Sequence, residues 1–366
     1  MGDRVHQLME SGQSIWLDFL GRDLIHSGEL QRLIDARHLT GITSNPSIFN
    51  KAITGSDLYT SDIVKLAERG VSDRYEAFVS LAATDIIAAC DAMLAVYRDT
   101  EGADGFVSFE LPPGLEHDVE ASVAEAHRLH DLIDRPNLMI KVPGTEEGVE
   151  ILQRLIADGV NTNQTLLFSV GVYERTAAAY IAGLEERLSR GEDLSRVASV
   201  ASFFVSRVDT AVDGQLPTDS PLRGQAAVAN ARHAYRRFSE IFSGADWQRL
   251  ADAGARVQRP LWASTSTKNP AYRDVLYVES LIAPHTVNTL PESTLQAVLD
   301  HCEVATMTSE DIAGAEKTLE SLRTAGIDID AVTDSLLVDG LAAFENDFQS
   351  LLTAIEANLK EALAPA

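Results

Sequence analysis

Lysine is scarce in this chain: Lys51, Lys65, Lys141, Lys268, Lys317 and Lys360 are the only ones in 366 residues. Cysteine is scarcer still. Cys90 and Cys302 lie far apart in helix-like segments, so a disulfide or metal pair is not expected and both read as buried thiols. No G-x-G-x-x-G, P-loop or H-E-x-x-H motif occurs, and the histidines show no metal-ligand spacing. Those absences leave covalent catalysis without metal or cofactor as the default for any enzyme built here. No uninterrupted apolar run approaches the roughly 18 residues of a membrane span. The first residues, Met1-Gly2-Asp3-Arg4-Val5-His6, carry no apolar signal segment, and a cytoplasmic location is expected. Basic residues are short overall: 30 against 55 acidic ones give a net charge of −25, which should repel nucleic acid and anionic membrane. An anionic substrate would need a local basic pocket set against that field.

What is present points to an α/β chain. A hydrophobic share of 45% with 23% charged residues supports one large decorated domain or two smaller ones. Apolar, β-branched runs at 15–19, 39–43, 105–111, 138–142, 159–163, 200–204, 261–264 and 286–289 alternate with amphipathic stretches. Eight such units predict a (β/α)8 TIM barrel with additional helices. The runs at 159–163 and 286–289 are interrupted by polar residues, and 278–282 is an alternative last strand. Helical spacing is clear over 73–98, and Thr145 reads as a helix start. The tail from 334 to about 363 predicts a C-terminal helix packed across the barrel, ending in Ala364-Pro365-Ala366. The Pro217 and Pro221 stretch at 214–223 is a loop, and with no linker or repeat a single domain over 1–366 is the economical reading.

One lysine stands out. Lys141 sits inside Leu138-Met139-Ile140-Lys141-Val142-Pro143-Gly144, where an ammonium has no obvious reason to be. Burial disfavours the charged form, and a neutral amine can attack a carbonyl, the starting condition for Schiff-base chemistry. A lysine near a strand end can also simply snorkel to water or pair with a carboxylate. In barrels the chemistry lies at the C-terminal strand ends. Those ends carry Asp18, Thr43-Ser44-Asn45, Glu110, Lys141, Asn163 with Thr165, Ser202, Ser264 onward and Asn288. Asp18 and Glu110 lie in apolar surroundings that could push their pKa values apart, making one a proton acceptor and the other a donor. Each has a plainer alternative: a helix cap for Asp18, a structural ion pair with Lys141 for Glu110. Turn and cap bonding would likewise account for Asn45, Asn163 and Thr165 singly. Their shared placement is the argument.

Taken together, these segments resemble transaldolase. Thr43-Ser44-Asn45-Pro46-Ser47, Ile140-Lys141-Val142-Pro143-Gly144-Thr145 and Asn163-Gln164-Thr165-Leu166-Leu167-Phe168 carry the resemblance. So do Trp16-Leu17-Asp18, Val107-Ser108-Phe109-Glu110, the block from Ala201 to Asp209 and the block from Trp262 to Pro270. The resemblance covers nearly the whole chain and implies a class I aldolase barrel without metal or cofactor. It implies transfer of a dihydroxyacetone unit between sugar phosphates in the non-oxidative pentose phosphate pathway. By position, Lys141 would form the Schiff base, Glu110 would shuttle protons through a water held by Thr165, and Asp18 would serve the C4 hydroxyl. Asn45, Asn163 and Ser202 would hold dihydroxyacetone hydroxyls, Phe204 would wall the pocket, and Arg207 would bind phosphate. Lys268 stands where many members have an arginine, trading a bidentate fork for a point charge, and Ser44 replaces a threonine. The length resembles the longer bacterial, actinobacterial-type group. Partners implied are sugar phosphates, with no nucleic acid or membrane, for a monomer or homodimer. Two alternatives remain open: an aldolase cleaving fructose 6-phosphate to free dihydroxyacetone, and a non-catalytic sugar-phosphate-binding barrel.

Overall fold

A computed structural model describes residues 3–363, so Met1-Gly2 and the Ala364-Pro365-Ala366 end lie outside the described residues. Eight parallel strands close into a barrel in sequence order. They are β1 (Gln13–Asp18), β2 (Gly41–Thr43), β3 (Phe106–Glu110), β4 (Leu138–Pro143), β5 (Thr162–Leu167), β6 (Ser199–Phe204), β7 (Arg259–Ala263) and β8 (Thr286–Leu290). Helices surround them, giving the expected (β/α)8 architecture.

Side chains alternate across each strand. Ile15, Leu17, Ile42, Val107, Ile140 and Val142 face outward into one apolar cluster with the surrounding helices. Trp16, Phe106 and Met139 point the other way and fill the barrel interior. Trp16 is paired in register with Gly41, where any Cβ would fall 2.4 Å from the indole, so only glycine lets that ring cross the barrel. Its Nε1 donates to Asp104 at 2.8 Å, anchoring the plug at the N-terminal end. The opposite end is left for polar residues.

Caps fix where the helices begin. Asn45 caps Pro46–Thr54 after β2 with proline in the first turn, Thr145 caps Glu146–Ala157 after β4, and Ser169 caps Val170–Ser189 after β5. The C-terminal helix Ile329–Ala362 buries Gly340, Phe344, Phe348, Leu352, Ile355 and Leu359, one stripe at helical spacing laid across the barrel.

Two sequence expectations shift. The fifth strand runs from Thr162 to Leu167, not over 159–163. Gly159, at φ +85°, is the turn leaving the preceding helix, and the strand is hidden in sequence because its polar residues bond internally. Thr162 meets Ser199 at 2.9 Å and Gln164 donates to the Pro143 carbonyl at 2.8 Å. The alternative last strand at 278–282 is instead the end of a short helix, Leu276–Ser280, with the turn beyond it.

The helix Arg74–Asp99 is long and apolar enough, averaged over 18 residues, to cross a membrane, which the sequence reading missed because Asp85 and Asp91 interrupt every pure run. Half of that window is buried against the rest of the protein. Asp85 itself is buried, accepting from Arg22 Nε at 2.8 Å and from the Tyr59 hydroxyl at 2.7 Å. It is a packed outer helix of the barrel.

Candidate active site

Lys141 is 5% exposed and its Nζ donates to the Ser44 carbonyl at 2.9 Å and to Glu110 Oε2 at 3.1 Å. The strands dictate this arrangement: Glu110 pairs with Lys141 across β3 and β4, and Lys141 with Asn163 across β4 and β5. Alternation from Met139 turns Lys141 into the barrel.

Above it lies a cavity of about 140 Å³ lined by Asp18, Asn45, Lys141, Thr165, Ser202, Phe204, Arg207 and Lys268 among others. Eight of the ten sequence-chosen residues therefore share one wall. Glu110 and Asn163 do not. Glu110 lies behind Lys141, lining an adjoining pocket of about 20 Å³ with Pro112, Pro143, Leu166 and Phe344. That is room for about one water. Asn163 is fully buried, donating to Ser108 Oγ at 3.1 Å and accepting from Ser202 Oγ at 2.6 Å, so it orients Ser202 instead of facing the cavity.

The two acids differ in surroundings, although neither has been driven downward. Burial pushes both above the ordinary carboxylate range. At Asp18 the rise is opposed by Lys141, by a 2.9 Å hydrogen bond from Thr43, and by Lys268 and Arg207. At Glu110 only Lys141 opposes it, and the Asp18 charge adds to it. Asp18 thus faces three cations and Glu110 one.

Arg207 opens the helix Ser206–Asp213 directly after β6, and its guanidinium lies 5.4 Å from the Phe204 ring centre. Among the described residues it has no carboxylate within ion-pair distance; burial pulls it below its ordinary value, and Asp18 partly offsets that. Lys268, on the loop after β7, hydrogen-bonds only Ser266 Oγ among the described residues, at 2.8 Å. A half-buried, unpaired guanidinium beside a lysine is a receptor for an anion such as phosphate.

Asn45 keeps its plain role, with Oδ1 capping through Ile48 N at 3.0 Å, while its Nδ2 has no partner among the described residues. Thr165 presents a buried hydroxyl with no partner among the described residues. A register shift between Gln164 and Leu167 aims it, with Leu166 held at φ +57°. A bulky residue there is strained by roughly 1–3 kcal/mol, and such strain gathers at functional sites. The sequence reading missed Thr289, Pro291 and above all Phe344, which borders both the main cavity and the Glu110 pocket. Phe344 belongs to a visible amphipathic stripe, but nothing in the stripe says where the helix crosses.

Comparison with known proteins agrees with this geometry. A family model described as Transaldolase/Fructose-6-phosphate aldolase matches residues 15–355. The Transaldolase of Acidothermus cellulolyticus is 49% identical over 367 residues, covering 99% of this chain and 98% of its own length. The Transaldolase 2 of Nostoc sp. is 46% identical over 370 residues, covering 97% of each. The Transaldolase 2 of Streptomyces coelicolor is 46% identical over 375 residues, covering 100% of each. Matched along nearly its whole length by both the family model and these relatives, the chain belongs to the transaldolase/fructose-6-phosphate aldolase family.

Proposed function

We propose that this chain is a transaldolase. It moves a dihydroxyacetone unit from sedoheptulose 7-phosphate to glyceraldehyde 3-phosphate, giving erythrose 4-phosphate and fructose 6-phosphate. The observation that carries the reading is a buried lysine on a cavity wall shared with Asp18 and two cations.

Each step has a residue in place for it. Lys141, its proton passed to Glu110 3.1 Å away, adds to the ketose C2 carbonyl. The carbinolamine oxygen leaves as water with a proton from Glu110, and the small pocket behind Lys141 has room for that water beside Glu110. The unpartnered Thr165 hydroxyl can hold it on the cavity side. Asp18 then takes the C4 hydroxyl proton, the C3–C4 bond breaks toward the iminium, and the aldose departs. The remaining enamine carbon attacks the carbonyl of the incoming aldehyde, and Asp18 returns its proton to the new alkoxide. Water adds back to C2 and releases the ketose, regenerating Lys141. Asn45 Nδ2 and Ser202, oriented by Asn163, bind the dihydroxyacetone hydroxyls, while Arg207 and Lys268 hold the phosphate. Phe204 and the apolar walls keep bulk water from protonating the enamine.

Mixing the protein with fructose 6-phosphate and erythrose 4-phosphate tests this. Sedoheptulose 7-phosphate should appear with little free dihydroxyacetone. Net release of dihydroxyacetone without an acceptor would mark an aldolase. Ligand-raised melting temperature with no turnover would mark a binding barrel.

A further inference from the structure

Two carboxylates that the transfer chemistry does not use, Asp209 and Asp213, are 1% and 7% exposed. Both lie on the helix Ser206–Asp213, whose first turn carries Arg207. Asp213 Oδ2 accepts from the Tyr272 hydroxyl at 2.5 Å, and its Oδ1 accepts from Gly224 N at 3.0 Å. Asp209 Oδ2 accepts from the Tyr277 hydroxyl at 2.8 Å, and its Oδ1 from Ala227 N at 2.8 Å.

Both tyrosines come from the segment after β7 that also carries Lys268. Asn269 folds the chain back between Lys268 and Tyr272, accepting from Ala271 N on its side chain and from Tyr272 N on its carbonyl, each at 3.0 Å. Gly224, at φ +72°, leaves bare backbone for the Tyr272 ring; a Cβ there would lie 2.7 Å from the ring. Burial and the Asp213 carboxylate push the Tyr272 phenol up to about 12, so it remains a donor at neutral pH. Lys268 itself is exposed and, among the described residues, hydrogen-bonds only Ser266 Oγ, so its own side chain does not fix the loop that presents it.

We propose that Tyr272 and Asp213 are positioning residues for phosphate recognition. Their hydrogen bond latches the Lys268 loop to the Arg207 helix, so that the two cations converge on one phosphate. This rests on the assignment of Arg207 and Lys268 to the substrate phosphate.

Tyr272→Phe keeps the ring over Gly224 and removes only the hydroxyl. In the full chain, its KM for glyceraldehyde 3-phosphate should rise about tenfold with kcat nearly unchanged. The KM for unphosphorylated glyceraldehyde should stay put. Because the tyrosine acts through the lysine, adding Tyr272→Phe to Lys268→Ala should cost little beyond Lys268→Ala alone. Calorimetric titration with inorganic phosphate should show the same pattern of weakening and needs no turnover. A protein that binds phosphate but transfers nothing would therefore remove the functional reading and leave the latch measurable. Equal losses for both acceptors, full additivity of the two substitutions, or unchanged phosphate affinity in Tyr272→Phe would each overturn the latch.

Discussion

At the scale of single residues, burial is the effect that sets the chemistry. Lys141, Glu110 and Asp18 are all withdrawn from bulk water, yet each keeps a partner of opposite character, as buried charges must. Lys141 was conspicuous in the sequence because an apolar strand offers no other reason for an ammonium. Glu110 was less so, and its two readings merge: it is an ion-pair partner and, by the same contact, placed to exchange protons with the amine. The same physics acts on Asp209. Burial raises its carboxyl from 3.8 to about 6, against hydrogen bonds from Ala227 N and Tyr277 and with help from the Asp213 charge. A raised value means the folded state binds the proton more tightly than the unfolded chain does. The associated stability is complete below the unfolded value and is lost as pH climbs through about 6. The loss amounts to about 3 kcal/mol. Asp209→Asn, neutral throughout, escapes it. In denaturant titrations the variant should gain about 3 kcal/mol on the native protein between pH ~3.5 and ~7. A difference that stays flat with pH would show that Asp209 is not held protonated by the fold.

At the scale of elements, legibility followed the balance of apolar and polar side chains. The strands at Leu138–Pro143 and Ser199–Phe204 could be read within a residue or so, since both apolar faces and β-branched residues mark them. Strand Thr162–Leu167 was displaced because Thr162, Asn163, Gln164 and Thr165 are polar and buried, and the bonds of the first three go to other strands that no local pattern reveals. The same four residues include two members of the site, which is why the weakest reading fell beside the chemistry. The helix Ile329–Ala362 was recognisable from its stripe, whereas the part it plays at the cavity depends on its path. Phe344 reaches the wall between the Lys141 cavity and the Glu110 pocket, and Gly340, one turn earlier, lets the helix pass close to Leu166 and Phe168. Phe344→Ala should open that wall and admit water to the enamine. Free dihydroxyacetone released per transfer event should rise about tenfold, the scale expected when one excluding contact is lost. An unchanged partition between release and transfer would assign Phe344 to packing alone.

At the scale of the whole molecule, the barrel gathers residues from all but one of its strands onto one cavity, while a net charge of −25 is spread over the chain. That contrast makes the Arg207 and Lys268 corner informative: a cation pair facing a cavity is unusual in so acidic a protein. Fold class was accessible from alternation alone, because eight strand–helix units admit few other closures. The site was accessible in part, since strand-end polar residues point to it while the buried Asn163 and the helix-borne Phe344 depend on tertiary placement. The central claim is that Lys141 is the covalent centre. Borohydride reduction after incubation with fructose 6-phosphate, followed by peptide mass mapping, tests it most directly. A dihydroxyacetone-derived mass confined to Lys141, and missing from Lys141→Ala, is the predicted result; reduction that leaves every lysine unmodified, or an adduct on another of the lysines, would contradict it.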